Sequence, residues 1–405
     1  MTQLTEFQRT TPALPGQIMP GMAGYRMCVS CVMDTTHVEA DFDEAGLCNY
    51  CRGFEQTIGS KRVPYSQLQA QLDRQIEEIK RSGRGKDYDC ILGVSGGVDS
   101  SYLALKCKDW ELRPLLVQFD NGWNTELANH NIQRLCEELR FDLHTHVVDW
   151  SEFRELQLSF LRAGVANFEA PSDHGIFACI YNTSVEKNIE WLLSGVNFAT
   201  EASVPLAKKG VHVTSYGYNY QDLVHIKAIH RRFGNGPLTT YPQLGFFRRT
   251  WLERSGGVRR LDPLNYMQYV KEDAIRELQD RVGWRRYQGK HFESVITRFH
   301  QCYLLPIKFG LDKRKLHLSG LIWSGQLTRE AALDELREPP CPPAMLAQDY
   351  DFFVKKMRLS VDEFESIMAA PVHTYRDYPN IQWLYKLYSN LMTAASRVKR
   401  RLRFW

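Results

Sequence analysis

The sequence predicts an α/β protein: a doubly wound parallel sheet, with a four-cysteine ribbon ahead of it and a mostly helical region behind it. Three observations carry this expectation. Short apolar runs alternate with helical patterns from residue 89 to residue 194, the rhythm of successive βα units. The first run, Asp89-Cys-Ile-Leu-Gly-Val94, passes straight into Ser95-Gly-Gly-Val-Asp-Ser-Ser101 and then a helix. Upstream, Cys28-Val-Ser-Cys31 and Cys48-Asn-Tyr-Cys51 are separated by sixteen residues, a spacing that suits a structural metal site.

Composition sets the outer limits. The 405 residues are 43% hydrophobic and 24% charged, ordinary values for a globular chain that can bury a large core. A net charge of +4 lacks the basic excess of a nucleic-acid binder. No run approaches the roughly eighteen apolar residues that span a bilayer, so no transmembrane segment is expected. Residues 1–25 lack the apolar stretch of a secretory signal, which makes the cytoplasm the expected location. The chain divides into a flexible leader (1–25), a ribbon (26–60), a nucleotide-type sheet domain (61–210), a substrate and phosphate region (211–340), and a helical tail with a basic end (341–405).

In the ribbon, two knuckles each supply two thiolates, Cys28 with Cys31 and Cys48 with Cys51. Four thiolates leave no place for water, so the expected ion is structural Zn²⁺. His37 lies between the pairs but is not needed as a ligand. Leu68, Leu72, Ile76 and Ile79 then mark one face of a helix over Ser66 to Arg81. Strands are expected at Leu115 to Phe119, His144 to Val148 and Trp191 to Ser194. Helices are expected at Thr125 to Leu139, Glu152 to Leu161 and Ile176 to Lys187. From about Gly210 the rhythm fades: 222–232 looks helical and basic, and Phe246 to Arg260 is rich in arginine and aromatics.

The Ser95–Ser101 turn is the chemical centre of the chain. Adjacent glycines flanked by hydroxyls let backbone N–H groups meet phosphate oxygens, and the following helix adds its positive end. S-G-G-x-D-S resembles the pyrophosphate loop of the PP-loop ATP pyrophosphatases. The resemblance implies cleavage of ATP between its α and β phosphates, with Ser95, Gly96, Gly97, Asp99, Ser100 and Ser101 forming the cradle. Gln118-Phe-Asp120-Asn-Gly122 resembles a turn that lies beside the adenosine in the GMP synthetase branch, although a plain Asn-Gly turn explains it too. Ser194-Gly195-Val-Asn-Phe-Ala-Thr-Glu201 is similar to a segment of NAD synthetases that delivers a glutamate to magnesium. If it carries over, Asp99 and Glu201 hold Mg²⁺ on the phosphates; a merely solvated Glu201 stays open.

The pieces together resemble the N-acetyl sugar amidotransferases of bacterial surface-polysaccharide and nonulosonic-acid biosynthesis. The likeness covers roughly residues 25 to 340. It runs through the cysteine ribbon, Ser95 to Ser101, Phe119-Asp-Asn-Gly-Trp-Asn124, Asp262-Pro-Leu-Asn-Tyr266, Tyr269-Val-Lys-Glu-Asp273, Lys290-His-Phe-Glu-Ser294, Lys308-Phe-Gly-Leu-Asp-Lys-Arg314 and Ser324-Gly-Gln-Leu-Thr-Arg329. It implies an acetamido sugar turned into an acetamidino sugar, with ammonia from a separate glutaminase. Lys308, Lys313 and Arg314 are the cations expected to close on phosphate. Two other readings stay open: a PP-loop tRNA thiolase, for which Cys179 is the candidate reactive thiol, and an ATP-binding sensor without chemistry.

Overall fold

A computed structural model describes residues 11–56, 65–201 and 219–402. At its centre, five parallel strands lie in the order β3-β2-β1-β4-β5. They are β1 Cys90–Gly93, β2 Pro114–Asp120, β3 Leu143–Val147, β4 Trp191–Leu193 and β5 Arg259–Leu261. β1 pairs on one side with β2, Cys90 opposite Pro114, and on the other with β4, Cys90 opposite Trp191. The strand order reverses at β1, so the loops after β1 and β4 diverge and leave a crevice at their carboxyl ends, where open α/β sheets bind ligands.

Hydrophobic burial explains the layers. Every residue of β1 but Gly93 is buried, as are the first six of β2, which is why both read as unbroken apolar runs. On one face Leu72, Ile76 and Ile79 of the helix Tyr65–Ser82 pack with Cys90, Leu92 and Leu103. On the other, Ile91 and Val117 pack with helices Trp150–Ala163 and Ala170–Glu186. Helix starts follow their capping residues: Thr125 accepts from Ala128 N, Asp149 from Glu152 N and Asp222 from His225 N. The helix expected at Ile176 begins six residues earlier, at Ala170, with Pro171 in its first turn.

β5 has no counterpart in the sequence expectation. Its residues Arg259 and Arg260 carry no strand signal, yet Arg259 stacks over Trp191 at 4.1 Å and reaches Glu78 and Glu190. The charge thus suits an edge strand.

Residues 11–25, expected to be flexible, are tied to the body. Leu14 packs with Leu305, Phe309 and Leu311, and buried Gln17 donates to the carbonyls of Thr36 and Phe309. The expected leader's first ten residues lie outside the described ones. The C-terminal helices share the main core, with Phe353 and Phe364 against Phe299. Among the described residues no helix is long and apolar enough to cross a membrane.

Candidate active site and metal centre

The loop after β1 is a tight glycine turn in which Ser95 N and Gly97 N donate to the hydroxyls of Ser100 and Ser95. Gly96 has φ +79°, and a Cβ there would sit 2.7 Å from the Ala128 carbonyl oxygen, so only glycine fits. Its carbonyl is turned away, accepting from Trp284 Nε1 at 2.9 Å and Tyr287 Oη at 3.0 Å. Gly97 caps helix Val98–Asp109 without a side-chain acceptor, so the helix's first N–H groups point outward, as an anion site requires. Ser95 Oγ and Ser100 Oγ lie 3.5 Å apart at the mouth of this turn. From the neighbouring strand end, Gly195 approaches so closely that a Cβ would lie 3.1 Å from Ser100 N.

These groups wall a cavity of about 830 Å³, together with Lys271, Lys290, His291, Glu293, Lys313 and His317. Its volume lies in the upper range for ligand pockets, roughly 300–1,000 Å³. Asp99 faces it and accepts from Thr200 Oγ1 and from Tyr269 Oη. Tyr269 and Lys271 are held in turn by Gln326, which donates to the Tyr269 carbonyl and accepts from Lys271 N.

The electrostatics favour a polyanion. Burial, then the like charge of Lys290, lowers the Lys271 ammonium below its usual range. His317 is driven well below a normal histidine by burial and by Lys290, His291, Lys313 and Lys271 around it. Cations packed this closely gain from a negative ligand among them. Asp173, in the first turn of helix Ala170–Glu186, is solvent-accessible yet crowded by protein. Burial and then the neighbouring Glu169 push it up to about 7, while Lys313 and His291 pull the other way.

The structure brings Ser95, Gly97, Asp99, Ser100, Gly195 and Lys313 together, and it redirects several other expected residues. Ser101 is fully buried, its N–H bonded to the Gly97 carbonyl within the helix, so it offers nothing to the cavity. Lys308 is 3% exposed and donates to the carbonyls of Ile367, Met368 and Ala370 at 2.7–3.1 Å. It caps helix Val361–Ala369 and does not meet phosphate. Lys308→Met should therefore cost on the order of 2 kcal/mol of stability. Thermal melting would show that loss, with turnover per folded molecule unchanged.

Arg314 lies on the cavity wall, but its guanidinium is held by Asp312 and by the carbonyls of Glu335 and Glu338, which end a helix. Asp120 accepts from Gly122 N at 2.9 Å and lines a separate cleft of about 560 Å³ with Trp150 and Lys356. Glu201 ends the short helix Phe198–Glu201; its side chain lies outside the described residues.

Three groups at the site were not among the expected site residues: Lys271 begins the helix Lys271–Val282, and Lys290 and His291 lie in a loop held by residues distant in the chain. Asn265 accepts from Phe198 N and donates to the Val196 carbonyl, fixing the loop after β4. Thr125 N and Val295 N bond to the carbonyls of Glu293 and Trp123, so the Asp120–Asn124 turn leads into a brace for the loop that carries Lys290 and His291.

The four ribbon cysteines converge. Their sulfurs all lie within 4.8 Å of one another, with Cys28–Cys51 at 3.7 Å and Cys31–Cys48 at 3.6 Å. Edges of this length fit a tetrahedron around one ion with bonds of about 2.3 Å. Backbone N–H groups of Ser30, Met33, Cys48 and Cys51 point at the sulfurs, and Trp323 Nε1 reaches Cys51 Sγ at 3.1 Å. The donor set thus fits a closed structural metal site. Burial keeps His37 down at about 4, a neutral ring outside this set. The ribbon docks on helix Arg314–Trp323 through the buried Lys315–Asp34 pair at 2.5 Å. Lys313 and His317 belong to that same segment.

Fold and site define a parallel α/β protein with a strand–loop–helix turn of the shape that suits an anion and a four-cysteine ribbon whose donor set fits a metal. Residues 293–392 match the family described as LPS biosynthesis protein WbpG-like, C-terminal domain. No curated protein matches the chain. Among solved structures it is similar to the NMN synthetase from Francisella tularensis, at 14% identity over 74% of this chain and 98% of that one, TM-score 0.31. The U34-tRNA thiolase NcsA from Methanococcus maripaludis, solved with its 4Fe-4S cluster, matches at 14% identity over 56% and 69%, TM-score 0.31. The NH3-dependent NAD synthetase from Campylobacter jejuni matches at 15% identity, TM-score 0.27. That match covers 34% of this chain and spans little more than half, 58%, of the synthetase.

Proposed function

We propose that the chain uses ATP to activate the acetamido carbonyl of an N-acetylated sugar, so that ammonia replaces its oxygen. The observation that carries this reading is the convergence of the Ser95–Gly97 turn, Asp99, the cations Lys271, Lys290 and Lys313, and His291 on one cavity. The WbpG-like segment supports a sugar of LPS biosynthesis as the second substrate.

An amide oxygen is a poor leaving group, so ammonia alone cannot displace it. In the proposed reaction that oxygen attacks the α-phosphorus of ATP, and the bond to the β-phosphate oxygen breaks. Pyrophosphate leaves, and an O-adenylyl imidate remains. Ammonia then adds to the imidate carbon, the C–O bond breaks, and AMP departs with the former amide oxygen. The N-terminal N–H groups of helix Val98–Asp109, Ser95 and Ser100 would hold the departing pyrophosphate, with Lys271, Lys290 and Lys313 balancing its charge. Asp99, with Glu201 as the second carboxylate, would hold Mg²⁺, which neutralises phosphate charge when bound. The ribbon sulfurs would take one Zn²⁺; the closeness of the four favours a single ion over a larger cluster. Unpaired cysteines throughout suit the reducing cytoplasm.

The glutaminase would be a separate protein. Cys179 lacks the flanking glycines of a glutaminase's nucleophile turn, and burial pushes its thiol up to about 11, away from the reactive thiolate. With ATP, Mg²⁺ and an acetamido sugar, the purified chain should release AMP on addition of ammonium chloride and not on addition of glutamine. Glutamine-dependent product from the chain alone would refute the two-protein arrangement. The thiolase reading has one observation in its favour: Cys302 and Cys341 sit in contact on the cavity wall. Both are 3% exposed; contact with Cys341, then burial, lifts Cys302 far above an ordinary thiol, while contact with Cys302 lowers Cys341.

A further inference from the structure

The last described helix, Gln382–Leu402, has two faces. One is committed to the protein. Tyr385 donates to the Gln221 carbonyl at 2.9 Å, and the rings of Tyr385 and Tyr388 lie 5.0 and 5.6 Å from Phe246. The opposite face is apolar and open. Trp383, Leu387 and Leu391, spaced four apart, are 64%, 48% and 59% exposed. The sequence continues the helical apolar pattern with Ala394, Val398 and Leu402, three, seven and eleven residues beyond Leu391. The helix it packs on, Phe246–Ser255, adds exposed Phe247 and Trp251, at 77% and 67%. Single exposed apolar residues need no explanation, but three at helical spacing on one face, a tryptophan among them, do.

Charge selects the occupant. From Tyr378 to the last residue the sequence has no aspartate or glutamate, while Lys386, Arg397, Lys399, Arg400, Arg401 and Arg403 are all cationic. Two copies meeting through this stripe would bring those cations together, at a cost. A surface of anionic lipid headgroups accepts them and takes the apolar stripe into its boundary with the acyl chains, where tryptophan is favoured. We propose that this face binds an anionic membrane surface peripherally, with the helix lying in the plane of the interface. The absence of any membrane-crossing helix among the described residues leaves a peripheral contact as the mode available to this element. Such binding would hold the cavity next to a lipid surface, independently of which reaction the cavity performs.

The test is co-sedimentation of the full chain with vesicles of phosphatidylcholine alone and of phosphatidylcholine mixed with phosphatidylglycerol. Expected is about tenfold enrichment on the anionic vesicles, abolished by high salt. The double variant Trp383→Ser, Leu387→Ser should lose it, and so should replacement of Arg397, Lys399, Arg400 and Arg401 by Gln. Trp383 and Leu387 are exposed, and an unchanged melting temperature of each variant would show that the fold survives. No binding to anionic vesicles at low salt, or binding unaffected by both variants, would overturn the proposal. Concentration-dependent dimerisation abolished by the double variant, without vesicle binding, would overturn it in favour of a second copy.

Discussion

Asp99→Asn should lower pyrophosphate release by about 10³-fold, roughly 4 kcal/mol of barrier, with little change in melting temperature. The carboxylate stands at the start of helix Val98–Asp109 on the cavity wall, where Tyr269 and Thr200 orient it by hydrogen bonds. Asparagine keeps the size and an acceptor for Tyr269 but loses the charge that a magnesium–phosphate complex needs. AMP and pyrophosphate assays on the purified variant, alongside thermal melting, separate the two effects. Normal turnover by Asp99→Asn would remove the residue from the reaction.

The second large effect lies far from the phosphate loop. Cys48→Ser should reduce bound metal to near zero and destabilise the ribbon by several kcal/mol, since metal-binding energy in such sites is folding energy. Cys48 also accepts from Cys51 N and begins the helix Asn49–Phe54, so its loss opens the second knuckle. Because the ribbon holds helix Arg314–Trp323 through Asp34, Ser319 and Trp323, the variant should also weaken nucleotide binding through Lys313 and His317. Metal content by mass spectrometry and MgATP titration measure the two consequences. A metal-free protein with unchanged melting and affinity would contradict the assignment.

What could be read in advance follows from how local each signal is. β1, its glycine turn and the next helix depend on consecutive residues, and so do the two cysteine knuckles, so their pattern is legible directly. β5 is held by partners from other elements, Trp191, Glu78 and Glu190, and two arginines in a row conceal it. The cations divide the same way. Lys308 and Lys313 are five apart and look alike in sequence, yet one caps a helix end from the far side of a wide, π-type helix and the other reaches the cavity. Only the tertiary path tells them apart. Lys271 and Lys290 acquire their role from Gln326, Asn124 and Thr125, which are remote in the chain.

The most direct test of the proposed chemistry follows one oxygen atom. An acetamido sugar labelled with ¹⁸O in its carbonyl is incubated with the purified chain, ATP, Mg²⁺ and ammonium chloride, and the nucleotide product is analysed by mass spectrometry. Activation through an O-adenylyl imidate predicts AMP carrying the ¹⁸O in its phosphate, one labelled AMP for each amidine formed. Formation of ADP and labelled inorganic phosphate, or amidine formed with unlabelled AMP, would contradict it.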